Sequence, residues 1–264
     1  MLSLLESNLR VIEYIPLLLT IAVFVLTACG WYFGRYRLRQ QGESIIVRDS
    51  LVAAIFGLSA LVLGFTFSGS ASRYADRMDS IRNQAQSLQE VYTSLKYLAP
   101  KDQVEIKQSL DDLLNLRLTV FKDIHSRSDV DSGALKIMAA TRKIQEEARV
   151  ALANAPIQNK ILVSDLFIPQ VQNMSSAFSA GAVNVKAHPP GLLLRFLFAL
   201  LCIGAFLIGY TMAVKKESDW LLASLYTILI GLSLYVILSL EVPNILMPYE
   251  EVNRDFLLLR EAIK

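Results

Sequence analysis

The chain has 264 residues, of which 53% are hydrophobic and 19% are charged, and its formal net charge is +2. A mean hydropathy of +0.41 is too apolar for an ordinary soluble domain and indicates an integral membrane protein. The nearly balanced charge excludes the basic surface of a nucleic-acid-binding domain, so we expect no nucleic-acid partner. Cys29 and Cys202 both lie in apolar runs, which predicts two buried thiols rather than a disulfide framework.

Four apolar runs are long enough to cross the roughly 30 Å hydrocarbon core of a bilayer as helices. They cover residues 14–34, 51–70, 192–214 and 220–240. The first run ends with Trp31, Tyr32 and Phe33, and no small-residue cleavage site is found there. We therefore interpret it as a retained helix and not as a signal peptide. The sequence therefore predicts a multi-pass protein whose main partner is the lipid bilayer.

Residues 61–92 connect the second run to a polar region without any proline. Because proline is the residue that most strongly breaks a helix, we predict one uninterrupted helix from the membrane into water. Further apolar positions at helical spacing predict helices to about residue 98, over 106–124 and over 133–154, the last capped by Asp131 or Ser132. A fourth helix follows Pro156 and bends or breaks at Pro169.

These patterns predict an all-α integral membrane protein with four transmembrane helices and a helical extramembrane domain between the second and the third. The predicted parts are a first helix pair at 1–70, the helical domain at 71–191, a second helix pair at 192–241 and a helical C-terminal tail at 242–264.

Positive charge gives two opposing indications of orientation. The short loop at residues 35–50 is rich in arginine, and Lys215 with Lys216 lies in the tight turn after the third span. Short basic loops face the cytoplasm, which places the helical domain on the periplasmic side of an inner (cell) membrane. Arg73, Arg77 and Arg82 directly follow the second span and favour the opposite orientation.

Small residues recur at three-and-four spacing in two of the spans. They are Ala53, Gly57, Ala60 and Gly64 in the second span and Ala205, Gly209 and Ala213 in the third. Small residues let helices approach closely in lipid, where packing rather than a hydrophobic drive holds them together. We expect packing among the four helices of one chain, and the alternative is a subunit interface or pore lining.

The spans carry almost no ionisable residue, which argues against a proton pump or a coupled transporter. A pore gated by apolar side chains stays compatible with this composition. Phe65 and Phe67 are the gate candidates, although they lie about 200° apart on a helix, so at most one can face an axis. The simpler interpretation is that both contact lipid or a protein core.

A polar collar follows at the end of the second span, at Ser68, Arg73 and Arg77. In an oligomer these arginines would form a ring at a pore mouth that attracts inorganic anions. The simpler interpretation is an interfacial anchor with a solvated ion pair to Asp76. Glu241, directly after the fourth span, is a second candidate ion-pair partner for one of the arginines.

No catalytic constellation, nucleotide-binding loop or metal-ligand spacing is present in the sequence. His125 and His188 are isolated, with no second ligand three or four residues away. We therefore expect no enzyme activity, no metal and no cofactor.

The run Leu63-Gly64-Phe65-Thr66-Phe67-Ser68, followed by Arg73-Tyr74 and Arg77, resembles the bacterial bestrophin-like four-span membrane family. Further matches are Asn83, Ala85 and Tyr92 in the next motif, where the family's acidic position is Gln84 here, then Trp220 opening the fourth span and Glu241-Val242-Pro243 after it. This resemblance implies a homo-oligomer with the second span near its axis, and a cytosolic helical domain.

Bestrophins are pentameric anion channels, and some bacterial relatives pass cations. The resemblance thus implies a homo-oligomeric ion channel with the second span near the pore. The alternative is a non-conducting membrane sensor or scaffold whose helical domain binds a protein partner.

Overall fold

A computed structural model describes residues 14–41, 49–120, 122, 127–184, 191–216 and 219–263. All regular elements in these ranges are helical, and four of the helices are long and apolar enough to span a membrane. The prediction of an all-α chain with four candidate spans is therefore confirmed. His125, His188 and the residues before Tyr14 lie outside the described ranges.

The long helices follow one another in the predicted order. They are α1 (Ile15–Gln41), α2 (Asp49–Ser94), α3 (Pro100–Val120), α4 (Arg127–Asn154), α5 (Ile168–Asn184), α6 (Gly191–Val214) and α7 (Trp220–Glu241). The C-terminal segment forms three short helices, α8 (Pro243–Leu246), α9 (Tyr249–Val252) and α10 (Arg254–Ile263). The tail is thus helical.

Helix α2 has 46 residues and continues through Ser70 without a break. At 1.5 Å per residue it is about 70 Å long, more than twice the thickness of the hydrocarbon core. The absence of proline correctly predicted this continuity.

Four boundaries differ from the sequence prediction. Helix α3 starts at Pro100 rather than at residue 106, because proline fits the first turn of a helix. Helix α1 continues past residue 34 to Gln41, because the arginines there are good helix formers. Helix α4 starts at Arg127, so the proposed cap at Asp131 or Ser132 is wrong and the Ser132 hydroxyl donates to the Asp129 carbonyl oxygen inside the helix. Before Pro169 the chain forms a helical turn at Lys160–Leu162 and a π turn at Val163–Phe167 instead of breaking. The wider turn accommodates a residue that cannot donate an N–H.

The chain divides into two compact units. The helical unit contains described residues 74–184 and 243–263, so the C-terminal helices belong to it. Its core includes Leu88 of α2, Leu110 of α3, Ile144 of α4 and Phe256 of α10, all of which are fully buried. One apolar stripe from each of these helices therefore closes a common core.

The membrane unit contains described residues 14–73 and 191–242, and its central feature is the pairing of α1 with α6. A Cβ atom at Gly209 would collide with the Thr27 carbonyl oxygen, and one at Gly30 would collide with the Phe206 carbonyl oxygen. A Cβ at Gly34 would lie 2.7 Å from the Cβ of Ala213. The two helices are therefore in backbone contact, which only glycine permits.

Helix α7 also packs against α1, where a Cβ at Gly231 would collide with the side chain of Thr20.

Cys202 is partly buried, whereas Cys29 is exposed on the surface of the unit, so the prediction of two buried thiols is wrong for Cys29. Its position on α1 lies away from the surface that α6 and α7 cover.

A matched pair of glycine substitutions tests the backbone contact. Gly209→Ala should destabilise the protein by about 1–3 kcal/mol, because the added methyl group meets a backbone oxygen that cannot rotate away. Gly57→Ala, where no atom of the same chain lies within 4 Å of the added Cβ, should destabilise the protein much less than Gly209→Ala does. The melting temperatures of wild type and both purified variants are measured in one detergent. Equal melting temperatures for Gly209→Ala and wild type would contradict the backbone contact between α1 and α6.

Candidate functional site

Helix α2 presents two chemically different faces within the membrane unit. Ser59, Val62, Thr66 and Ser70 are buried, at 4%, 9%, 0% and 0% exposure. The Ser59 hydroxyl donates to the Ile55 carbonyl oxygen at 2.8 Å, and the Thr66 hydroxyl donates to the Val62 carbonyl oxygen at 2.7 Å. The buried face is therefore lined by hydroxyl groups that are satisfied by their own helix.

The small residues of α2 lie on the other side and are open. Ala53, Gly57, Ala60 and Gly64 are all exposed, and a Cβ at Gly57 or Gly64 would meet no atom within 4 Å. We call these four residues the α2 stripe. The interpretation as packing within one chain does not hold for Gly57 and Gly64, whereas Ala60 borders a cavity that α6 and α7 also line.

The small residues of α6 behave in the opposite way. Ala205 is 0% exposed and Ala213 is 5% exposed, and Gly209 contacts α1 directly. Here the expected packing within one chain is correct. Two stripes with the same spacing thus have different environments, and only the α2 stripe is left uncovered.

Both gate candidates are exposed in the single chain, Phe65 at 66% and Phe67 at 46%. Helical geometry separates them with respect to the α2 stripe. Phe67 lies about 60° from Gly64 around the helix axis, whereas Phe65 lies about 100° from it on the other side. Ser68, which is also exposed, lies about 40° from Gly64. Phe67 and Ser68 therefore flank the stripe more closely than Phe65 does.

Arg73 and Glu241 form an ion pair that joins the end of the second span to the end of the fourth. The guanidinium Nη2 lies 2.5 Å and Nε 2.9 Å from Glu241 Oε1, and Nη2 also donates to the Ser70 hydroxyl at 3.2 Å. The side chain of Glu241 is 6% exposed and that of Arg73 is 26% exposed. The carboxylate compensates the charge of Arg73, which favours a role in fastening α2 over a role in attracting anions.

The other collar residues lie differently. Arg77, one helical turn after Arg73, is only 9% exposed, so it does not face open water in the single chain. Asp76 lies on the exposed side of α2. Glu241 rather than Asp76 is therefore the acidic partner of Arg73.

A second buried arginine, Arg117 on α3, was not predicted from the sequence. Its Nη1 donates to Asn253 Oδ1 at 3.2 Å and its Nε donates to Gln84 Oε1 at 3.4 Å, while the guanidinium lies 4.8 Å from the Phe256 ring centroid. Burial lowers the pKa of Arg117 to about 10, which leaves it charged at neutral pH. The cluster holds α2, α3 and the C-terminal segment together inside the helical unit.

The sequence did contain a signal for Arg117. It lies four residues after Leu113 and three after Leu114, on the same apolar stripe that fills the core. A charged residue at a core position requires polar partners, and Gln84 occupies the corresponding position on α2.

No protein-family model, curated protein or solved structure matches the chain. The resemblance to the bestrophin-like family therefore depends on the motif residues alone. Function has to be inferred from the uncovered stripe of α2 and from the residues that flank it.

The ion pair makes a testable contribution to stability. Arg73→Met should cost about 2–3 kcal/mol, because it leaves the buried Glu241 carboxylate without its main cation. The double variant Arg73→Met/Glu241→Gln should recover part of this loss. Unfolding in detergent, followed by tryptophan fluorescence, measures both effects.

Arg82→Met is the control for this experiment. Arg82 pairs with Asp79 at 2.8 Å on the surface, with side chains 63% and 66% exposed, so its loss should cost less than about 1 kcal/mol. The fastening role fails if Arg73→Met and Arg82→Met destabilise the protein equally.

Proposed function

We propose that this protein is a homo-oligomeric ion channel of the cell membrane in which copies of α2 surround the conduction path. The observation that carries the proposal is the uncovered α2 stripe. Gly57 and Gly64 leave open space at the helix surface, in contrast to the filled glycine positions of α1 and α6. In lipid, helices associate through such small-residue surfaces.

A second copy of the chain is the simplest occupant of the stripe. Assemblies of identical chains are usually symmetric, and a ring requires each copy to use the same surfaces. The surface of α7 differs from the stripe because it presents large leucines to its surroundings, among them Leu221 at 75% and Leu232 at 56% exposure. Large apolar side chains are typical of lipid contact, so the composition of the two surfaces supports an interface at α2.

The proposed gate is apolar. Phe67 lies beside the stripe, on the membrane side of the polar collar, and a ring of phenylalanine side chains can close a narrow pore by excluding water. Phe65 points further from the stripe and is the better candidate for lipid contact. Arg73 is held by Glu241, so its proposed role is to position α2 rather than to select the ion.

The proposed orientation follows the basic loops. The arginines of α1 beyond residue 34 and the lysines after α6 lie at the ends of apolar helices, where the positive-inside rule places the cytoplasm. The helical unit would then lie on the periplasmic side, opposite to the side that the bestrophin resemblance implies.

A second candidate function is a scaffold whose helical unit binds another protein. It is favoured by Ile157 and Ile161, which are 92% and 74% exposed at the connection between α4 and α5. Exposed isoleucines close together are common at protein-binding surfaces. The two functions differ in ion conduction, which only the channel provides.

Bulk in the α2 stripe should prevent assembly. The double variant Gly57→Leu/Gly64→Leu should lower the molar mass of the purified particle, because leucine side chains keep neighbouring copies apart. Light scattering coupled to size-exclusion chromatography measures this mass.

Leu58→Trp is the control for assembly, since it adds bulk to an exposed position about 100° from Gly57 on the same helix. It should leave the mass unchanged. An unchanged mass for the double glycine variant, or a monomeric wild type, would sink the proposed interface.

Removing the proposed gate should increase ion flux. Phe67→Ala in proteoliposomes should raise flux roughly tenfold, which corresponds to a barrier lowered by about 1.4 kcal/mol. Phe65→Ala is the matched control and should behave like wild type. Absence of flux in all three proteins, with the oligomer intact, would favour the scaffold function. A larger effect of Phe65→Ala would place the other phenylalanine at the pore.

A further inference from the structure

The membrane unit contains a cavity between α2, α6 and α7. Its volume is about 600 Å³, and it is partly open to the surroundings. Its lining is mostly apolar and comes from all three helices, with Leu63, Leu201, Ile208, Met212, Leu222 and Ile230 as the large side chains. This cavity lies on the flank of α2 between its buried face, represented by Ser59, and the α2 stripe, of which Ala60 lines the cavity and Gly57 and Gly64 do not.

Two aromatic rings hold the helices apart at this place. The rings of Phe56 and Tyr226 pack edge to face, with centroids 5.8 Å apart and planes at 82°. Ala60 and Ala223 line the cavity with small side chains that do not fill the space left beside the rings. The cavity therefore results from a large pair next to small residues.

Water is a poor occupant of this space. The Ser59 hydroxyl is already bonded to its own helix, and Asp219 accepts the N–H of Leu222 as the cap of α7. A buried water needs two to four polar partners, and apart from these groups the lining offers only the Tyr226 hydroxyl. An apolar chain is the better occupant, and the bilayer around these helices supplies acyl chains.

The charged groups at the mouth indicate the headgroup. The mouth lies where α6 ends and α7 begins, since Met212 and Asp219 both line the cavity. Lys215 and Lys216 lie between them in sequence, and Lys215 Nζ is 2.9 Å from Asp49 Oδ1 at the start of α2. Asp219 lines the cavity itself, and the Lys215–Asp49 ion pair lies just beyond it in sequence, three residues after Met212 and seven before Phe56. This arrangement is complementary to a headgroup that carries one phosphate and one ammonium group.

We propose that this cavity binds an acyl chain of a zwitterionic phospholipid with a primary amine, such as phosphatidylethanolamine. The phosphate lies at Lys215 and Lys216, and the ammonium group lies at Asp49 and Asp219. The bound chain fills the space between α2 and the rest of the membrane unit. This site does not depend on whether the protein conducts ions.

Photolabelling of the full-length protein tests the site. The probe is phosphatidylethanolamine with a diazirine in one acyl chain, diluted into phosphatidylcholine vesicles that contain the protein. After irradiation, mass spectrometry should find label on peptides containing Leu201–Met212 or Leu222–Ile230, well above the label on other spans. Unlabelled phosphatidylethanolamine should reduce this label at least tenfold more effectively than phosphatidylglycerol.

Two cavity-filling variants, Ala223→Phe and Leu63→Trp, should each abolish the label. The two substitutions lie on different helices, α7 and α2, so one variant still tests the site if the other fails to fold. Ile228→Phe is the control, because Ile228 is 54% exposed and lies about 140° from Ala223 around α7. Lys215→Gln should weaken labelling several-fold without removing it.

Three results would overturn the proposal. The first is label spread evenly over all four spans, and the second is unchanged labelling of both cavity-filling variants. The third is equal competition by phosphatidylethanolamine and phosphatidylglycerol, since the mouth would then not recognise the headgroup.

Discussion

Backbone contact between α1 and α6 is the interaction on which the membrane unit depends. Gly30, Gly34 and Gly209 allow it, because any side chain at these positions would collide with the facing helix. Helix α1 also carries α7 on a neighbouring surface. Helices α1, α6 and α7 thus cover much of one another's surface. Helix α2 packs against this group along one face only, and the cavity of about 600 Å³ lies beside that face. Helix α2 is attached more loosely, because α1, α6 and α7 use their closest-packing surfaces on one another.

Polar contacts compensate for this loose attachment at the end of the span. Arg73 connects α2 to the last residue of α7, and in the helical unit Arg117 connects α2 to the segment that follows α7. In the first place an arginine is joined to the last residue of α7, and in the second an arginine is joined to the segment that follows α7. Charge-assisted hydrogen bonds are directional, so they set the rotation of α2 better than apolar packing could. Within the membrane unit, the rotation of α2 is thereby set by Arg73, which lies outside the stripe.

Much of this fold could be predicted from composition and spacing. Hydropathy located the four spans, and the absence of proline predicted the continuity of α2 through Ser70. The environment of each stripe could not be predicted, because periodicity defines a face without defining its neighbour. The stripes of α2 and α6 have the same residue types, yet Gly57 is open and Gly209 is in backbone contact. Arg117 was missed for a related reason, since its partners Gln84 and Asn253 are distant in sequence.

The pairing of α1 with α6 also has a consequence for biosynthesis. About 180 residues separate Thr27 from Gly209, which it contacts. At about 5–20 residues per second, a ribosome needs roughly 10 to 40 s to make that length of chain. During this interval α1 is already in the bilayer with its glycine surface uncovered. An insertion chaperone or a transient neighbour has an opportunity to occupy that surface until the third span emerges from the ribosome.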